Sequence, residues 1–241
     1  TMEMRVIPRE VKKKGSVVSQ NEQAYELLHE RLTTLVYKPG EYLNTAVLMS
    51  DLDMGRTPIN HALHRLGNEG LIQIIPRKGV MVSPLSIDDA LHMIDVRLVN
   101  EKLCLRLAAK NITKAEIEHL RSINFAYTKA VANRAVGEVM SLDRTFHEVL
   151  AIASRNPVLI DVLRVLHARS QRFWAISLSS GGHMSEVQNE HEDVVDALEQ
   201  GDVESAQKAI SDHVLSFRNA LINARTEPPR LCTESHRLKG C

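Results

Sequence analysis

The sequence predicts a mainly α-helical protein in which a small N-terminal domain precedes an all-helical antiparallel bundle. Two observations support this prediction. Only 4% of the 241 residues are aromatic, and this composition favours helix packing over an aromatic-rich β-sandwich. Apolar residues recur at helical spacing along most of the chain, and the pattern changes to short β-prone runs only between residues 71 and 82.

The first domain is predicted to contain three helices and one hairpin. Helical spacing and turn residues place the helices at residues 19–37, 46–52 and 57–70. Thr57, followed by Pro58, is a typical helix start, and Gly70 is a typical helix end. The runs LIQII and VMV flank the turn PRKG and predict a hairpin. Three helices followed by a hairpin indicate a winged helix-turn-helix.

Beyond Pro84 the whole chain reads as helical. Ser86 with Asp89 and Thr113 with Glu116 have the spacing of capping boxes. Six helices are expected near residues 87–110, 114–133, 136–154, 157–178, 184–199 and 203–225. We therefore predict a flexible basic arm (1–17), a winged helix-turn-helix domain (18–84), an all-helical domain (85–226) and a flexible tail (227–241).

Charge, cysteine and hydropathy patterns exclude several classes of protein. The 30 basic residues balance the 30 acidic ones, so the whole-chain charge indicates neither a nucleic-acid binder nor an enzyme for acidic substrates. The three cysteines lack CxxC spacing, which favours a reducing compartment. The start lacks a secretory pattern, and the longest apolar stretch, residues 91–109, contains several charges. We expect a cytoplasmic protein without membrane contact.

Polar side chains at the start of the third helix and at the hairpin tip fit a DNA reader. Arg56 lies where a guanidinium can reach guanine O6 and N7, and Asn60 and His61 occupy the next exposed turn. Arg77 and Lys78 are placed for phosphate contact at the hairpin tip. Arg65, another basic residue of the third helix, is a further candidate for a DNA contact. Solvated surface charge is the alternative for each residue alone, and the order of the elements favours double-stranded DNA.

The segment KPGEYLNTAVLMSDLDMGRTPINHALHRLGNEGLIQIIPRKGVMV resembles the GntR-type winged helix. That family typically has a PG turn, SRTPVREAL at the start of the recognition helix, RL…EGL and an RRG wing. The resemblance implies DNA contacts by Arg56 and Thr57 and by the wing around Lys78 and Gly79.

Three residues of this segment depart from the family pattern. Gly55 replaces a serine, Asn60 replaces an arginine that typically touches DNA, and His61 replaces a glutamate. Asparagine pairs with adenine N6 and N7, whereas arginine prefers guanine. We therefore expect an operator sequence that differs from the family norm.

Four polar residues of the second domain fall on helix faces that should be buried. Asp143 and His147 are one turn apart, and His191 and His213 lie in the apolar stripes of two later helices. A single inward histidine is most often a hydrogen-bonded core residue. Three imidazoles with one carboxylate also suit a divalent transition metal such as zinc or nickel. Spacing alone leaves both possibilities open.

The same residues resemble the FadR C-terminal-domain (FCD) subgroup of GntR regulators. The segments DRTFHEVLAIASRNPVL, NEHEDVVDALEQGD and AISDHVLSF carry the likeness, and RLVNEKLCLRLAA resembles the subgroup's opening helix with its arginine and glutamate. In that subgroup an Asp-x3-His motif and two later histidines often hold a metal. The resemblance implies this role for Asp143, His147, His191 and His213.

A divalent ion held by one aspartate and three neutral histidines would carry about one net positive charge, which favours an anion such as a small carboxylate metabolite. Arg97, Arg169 and Arg172 are candidate carboxylate clamps, with surface salt bridges as the alternative. We therefore predict a homodimeric, ligand-responsive DNA-binding regulator, most simply a repressor. The alternatives are a metal-dependent hydrolase and a ligand-binding helical adaptor.

Overall fold

The computed structural model describes residues 19–179 and 184–226, so the predicted arm (1–17) and tail (227–241) lie outside the described residues. Within those ranges the chain forms nine helices and three strands, and the predicted mainly α-helical fold is confirmed. The elements are α1 (Gln20–Thr33), β1 (Tyr42–Leu43), α2 (Thr45–Asp51), α3 (Arg56–Asn68), β2 (Ile72–Ile75), β3 (Gly79–Val82), α4 (Ile87–Asn111), α5 (Lys114–Ala132), α6 (Val136–Ala153), α7 (Pro157–Ser179), α8 (Met184–Glu199) and α9 (Val203–Thr226). None of these helices is long and apolar enough to cross a membrane.

The N-terminal domain packs three helices against a small antiparallel sheet. Strand β3 lies between the other two strands, with Val80 opposite Leu43 of β1 and Val82 opposite Ile72 of β2. Its core consists of apolar side chains from every element, including Leu28, Leu32, Leu48, Ile59, Leu66, Leu71 and Val80. Helices α2 and α3 form the helix-turn-helix, and the β2–β3 turn forms the wing.

Three local features of this domain differ from the sequence predictions. Helix α1 ends at Thr33, before Leu35 adopts a positive φ of 61°. Strand β1 was not expected, because two residues are too short to show an alternating pattern. Helix α3 begins at Arg56 with Gly55 as N-cap, so Pro58 lies in the first turn, where its missing N–H leaves no hydrogen bond unmade.

The six helices of the second domain surround two clusters of buried apolar side chains, of which the larger lies among α4 to α9. The larger cluster includes Leu105, Leu120, Phe146, Leu150, Leu163, Val194 and Ile210. The predicted cap at Thr113 is confirmed as a full capping box with Glu116, and the Ser86 hydroxyl accepts from the Asp89 N–H. Asn156 likewise caps α7 by accepting from the Leu159 N–H at 3.2 Å.

Helices α6 and α7 connect the two domains. Ala168 of α7 is part of the N-terminal core, and Arg164 Nη1 lies 3.2 Å from Glu69 Oε1 at the end of α3. Arg144 of α6 pairs with Glu26 of α1 at 3.1 Å. The contact between the domains therefore combines apolar packing with ion pairs.

His29 makes the stability of this contact dependent on pH. The side chain is buried, and burial together with the charge of Arg144 lowers its pKa to about 3. In the unfolded chain, the His29 side chain has its ordinary pKa near 6.5 and takes up a proton below that pH, whereas in the folded chain it stays neutral. The free energy of unfolding therefore falls as the pH drops below about 6.5. Between pH 7.5 and 5.5 the loss should be about 1.3 kcal/mol.

The measurement is urea unfolding of the wild type and of His29→Asn at both pH values. Asparagine keeps an acceptor for Arg144 but does not titrate, so the variant should lose about 1.3 kcal/mol less than the wild type on acidification. His119→Asn, at an exposed position, serves as the control and should leave the pH dependence unchanged. Identical pH dependence in the wild type and His29→Asn would contradict the assignment.

Candidate metal centre and DNA-binding face

Three helices bring four potential metal ligands together in the centre of the second domain. Asp143 and His147 lie on α6, His191 on α8 and His213 on α9. One ligand atom from each residue lies within 4.8 Å of the others. All three histidines are buried, and 13% of the Asp143 side chain is exposed. The helical pattern placed these residues inward, and the fold makes their faces converge.

The separations between the ligand atoms fit a transition-metal ion. The Nε2 atoms of His147 and His213 are 3.2 Å apart, and Asp143 Oδ1 lies 3.9 Å from His147 Nε2 and 3.5 Å from His191 Nε2. Two ligands that each lie about 2.1 Å from a common ion are separated by about 3.0 to 4.2 Å, depending on the angle between them. These three separations fall in that interval, and all four atoms lie within 4.8 Å of one another.

Two histidines of this group lack the hydrogen bonds that a buried imidazole normally makes. Among the described residues, both ring nitrogens of His191 and the Nδ1 atom of His147 lack a hydrogen-bond partner. The ring of His191 is instead stacked on Phe146 at 3.9 Å between centroids. An unsatisfied buried polar group is costly. For this reason the residues fit a metal better than a hydrogen-bonded core.

The protonation states also suit a metal. Burial lowers the pKa of His147 well below its usual range, and burial lowers the pKa of His191 against the opposing effect of Asp143. Burial works against ionisation of Asp143, but His191, His213 and Arg97 outweigh it and lower the pKa of this carboxyl. Neutral imidazoles and an ionised carboxylate are the forms that coordinate.

Carboxylates lie behind two of the imidazoles. Glu190 Oε2 is 2.8 Å from His213 Nδ1, and Glu101 Oε1 is 3.7 Å from His147 Nδ1. The contact with Glu190 is short enough to fix the ring of His213 and leave its Nε2 free to coordinate, whereas Glu101 lies beyond hydrogen-bond distance of His147 Nδ1.

Glu101 also organises a second buried group with His147 and His167. Its Oε1 lies 2.6 Å from His167 Nε2 and accepts from Arg97 Nε at 3.0 Å. Burial opposes ionisation of Glu101, but His167 and Arg97 outweigh it and hold the pKa of the carboxyl well below its usual range. These three residues are another potential ligand set, but Glu101 already has two close partners.

A small cavity adjoins three of the four ligands, Asp143, His147 and His213. It offers about 30 Å³ to the centres of water-sized molecules, and its polar wall includes His167, Ser170 and Gln171. Trp174, Val187 and Phe217 form the apolar wall. One water needs about 10 to 15 Å³ on this scale, so two or three waters, or one carboxylate group, fit.

The three arginines predicted to clamp an effector lie in different places. Arg97 lines the cavity, with Nη2 3.4 Å from His147 Nε2, and forms a buried ion pair with Glu101 rather than a surface one. Arg169 and Arg172 do not line this cavity. Arg169 donates to the Glu69 carbonyl at 2.8 Å and Arg172 to that of Ser83, both in the N-terminal domain.

Of the residues predicted to contact DNA, all but Arg65 are exposed on the surface of the N-terminal domain. Exposed side chains lie along the start of α3 and at the wing: Arg56, Thr57, Asn60, His61, Arg77, Lys78 and Gly79. Gly79 has a φ of 103°, and the wing turn depends on this conformation. Arg65 points elsewhere, because its guanidinium pairs with Glu22 at 2.9 Å and covers the Tyr25 ring.

Sequence reasoning did not identify four residues that surround the ligands: Glu190, Ser170, Gln171 and Phe217. Glu190 precedes His191, but its partner is His213 on the next helix. The position of Glu190 next to His191 in the sequence therefore does not predict its contact with His213. Ser170 and Gln171 follow His167 by one turn, and the helical period could have indicated them.

An exposed helix-turn-helix face joined to a helical domain is the arrangement of a DNA-binding regulator. The family model described as "FCD domain" matches residues 92–216, and that described as "Bacterial regulatory proteins, gntR family" matches residues 20–82. The chain belongs to the GntR family of bacterial regulatory proteins and carries an FCD domain. It is a DNA-binding transcriptional regulator and not an enzyme, so the hydrolase alternative is wrong.

Individual relatives agree with this assignment. The HTH-type transcriptional repressor RspR of Escherichia coli K12 is 23% identical over 207 residues, which cover 86% of this chain and 91% of the relative. A regulator from the TAR-I ttuE-ttuC' intergenic region of Agrobacterium vitis is 31% identical over 130 residues, or 53% and 76% of the two chains. The solved structure of E. coli McbR/YncC shares the fold, with a TM-score of 0.77 and 21% identity over 87% of this chain and 100% of that one.

Proposed function

We propose that this regulator is a homodimeric repressor of the bacterial cytoplasm that senses a small carboxylate through a divalent metal in its helical domain. The observation that supports it most directly is the convergence of Asp143, His147, His191 and His213 on one point, with both nitrogens of His191 unsatisfied. Zinc and nickel suit the imidazole-rich ligand set.

Arg97 is the proposed anchor for the carboxylate. A bound ion would supply positive charge and open coordination positions at the ligand group. Arg97 is held beside this group by its pair with Glu101, which leaves the Nη2 edge facing His147. A planar guanidinium can hold a carboxylate by two parallel hydrogen bonds. The small volume of the cavity restricts the ligand to a short acid or to the carboxylate end of a longer one.

Helix α7 offers a physical link between this cavity and the DNA-binding domain. His167 and Gln171 on one face line the cavity, while Arg164 and Ala168 on another face contact the N-terminal domain. A ligand that binds two orientations of α7 unequally would change operator affinity. Coupling of this kind is typically about 1 to 3 kcal/mol, or a change of about 5- to 150-fold.

The test begins with native mass spectrometry and elemental analysis of the purified full chain. We expect a dimer mass, one divalent transition-metal ion per chain and, where it survives purification, a bound acid. Gel-shift titrations on a selected operator, with and without short carboxylic acids, then measure the coupling. Arg97→Lys tests the proposed anchor. This variant keeps the positive charge but loses the planar guanidinium, so the effect of the acid on operator affinity should weaken.

Two results would contradict the proposal. If the purified protein takes up no ion from a stoichiometric metal solution, the proposed metal binding is contradicted. If the metal-containing protein binds its operator with the same affinity in the presence of every short acid tested, the proposed sensing of a carboxylate is contradicted.

A further inference from the structure

A second candidate site lies in the cleft between the two domains. The cleft is bounded by the end of α3 and the start of β2 on one side and by α4 and α7 on the other. It offers about 690 Å³ to the centres of water-sized molecules. This volume is far larger than the 30 Å³ at the candidate metal centre and lies in the range of small-molecule sites.

Two arginines of α7 line this cleft, and no ion pair joins either of them to a carboxylate among the residues that the structure describes. Arg172 is 2% exposed, and its only hydrogen bond among the described residues goes to the Ser83 carbonyl. Its Nε is buried without a partner. Burial, followed by the neighbouring charge of Arg169, lowers the pKa of Arg172 to about 10. A buried guanidinium without a counter-ion is unusual, because a buried charge is normally paired.

Arg169 is held close to the N-terminal domain. Its Nε donates to the Glu69 carbonyl at 2.8 Å, and the guanidinium lies against Gly70. A Cβ at Gly70 would lie 2.0 Å from Arg169 Nη2, and the φ of 76° also disfavours other residues there. The glycine therefore allows the guanidinium to approach the backbone, and within the described chain no carboxylate forms an ion pair with it.

The remainder of the cleft wall combines a group of apolar side chains with the polar residues Gln73, Ser86, Asp89 and His92. The apolar group includes Ile72, Leu85, Met93, Val96, Leu166 and Phe173. Asp89, at the exposed first turn of α4, is the acidic member of the lining. A group of apolar side chains beside two guanidinium groups is chemically complementary to an organic acid with an apolar body.

We propose that the interdomain cleft binds a small organic acid, with its carboxylate held by Arg169 and Arg172 and its apolar body against Leu166 and Phe173. This site is distinct from the ligand group around His147, which lies on the other face of α7. Both arginines hold backbone carbonyls of the DNA-binding domain, so an acid bound here would contact both domains at once. It would therefore affect operator affinity independently of the metal.

The experiment is isothermal titration calorimetry of hexanoate and benzoate into the full metal-loaded chain, with 1-hexanol and inorganic phosphate as comparison ligands. We expect binding of at least one acid and none of the alcohol. Arg169→Gln removes an exposed donor and should weaken binding by about tenfold or more. Arg172→Lys keeps the charge without the fork, and it gives a second test if the buried position tolerates the change.

Two controls separate this site from the metal centre. Arg106→Gln removes the same charge from an exposed position of α4 outside the cleft and should leave the affinity within about twofold of the wild type. The double variant His191→Ala, His213→Ala should also retain the acid. The proposal is overturned if neither acid binds at about 10 mM, if phosphate alone binds, if Arg169→Gln binds as the wild type does, or if the histidine variant loses the acid.

Discussion

Replacing His191 and His213 together by alanine is expected to abolish the binding of a divalent transition metal and to leave a folded chain that binds DNA. The two residues supply two of the four converging ligand atoms, from two different helices. Even residues behind metal ligands change affinity by about 10- to 100-fold, so the loss of two direct ligands should exceed about 100-fold. Elemental analysis after gel filtration measures the bound ion.

The same substitution should remove the stabilisation that the metal provides. An ion present at about 1,000 times its dissociation constant stabilises the folded state by about 4 kcal/mol. For a chain of this length that corresponds to a shift of roughly 8 to 16 °C in the unfolding midpoint. A chelator should therefore lower the midpoint of the wild type and leave that of the double variant unchanged.

His167→Asn is the matched control, because His167 is a buried imidazole of the neighbouring group with Glu101 and His147. We expect this variant to retain the ion. Loss of metal in His167→Asn, together with its retention in the double variant, would place the ion in the second group instead. Unchanged metal content in both variants would show that the described histidines do not hold it.

Most of the fold was predictable because it rests on local signals. Thr113 with Glu116 and Asn156 with Pro157 mark helix starts, and both are found where the sequence places them. The errors fall where a local rule is ambiguous or a segment is too short. Strand β1 exists because Leu43 pairs with Val80 far along the chain, and no local pattern reports that pairing.

The candidate site was predictable to the extent that it depends on which face of a helix is buried. The helical period placed His147, His191 and His213 inward, and all three are buried. The period does not say which neighbour covers a face. Arg169 and Arg172 lie on α7, which contacts the metal cavity on one face and the N-terminal domain on another. Their place in the cleft therefore required the tertiary structure.

Arg56→Ala is expected to lower operator affinity by about 10- to 100-fold and to relax the preference for one base pair, since a bidentate arginine contact contributes about 1 to 3 kcal/mol of discrimination. Arg56 is exposed in the first turn of α3, where the recognition helix of this fold meets base edges. Lys78, at the wing, should behave differently. As a phosphate contact, its replacement by alanine should weaken all duplexes equally and reduce the salt slope by about 0.9.

The two effects can be separated on an operator selected from random duplexes with the full chain. Binding is measured on this operator, on single-base variants and on unrelated DNA at several salt concentrations. Arg106→Ala, an exposed arginine of α4, removes the same charge from the helical domain and should bind as the wild type does. If Arg56→Ala weakened every duplex equally while its base preference stayed intact, Arg56 would be a backbone contact and specificity would have to reside in Asn60 and His61. That outcome is distinguishable, because asparagine reads adenine and Asn60→Ala would then relax selectivity at an A·T pair.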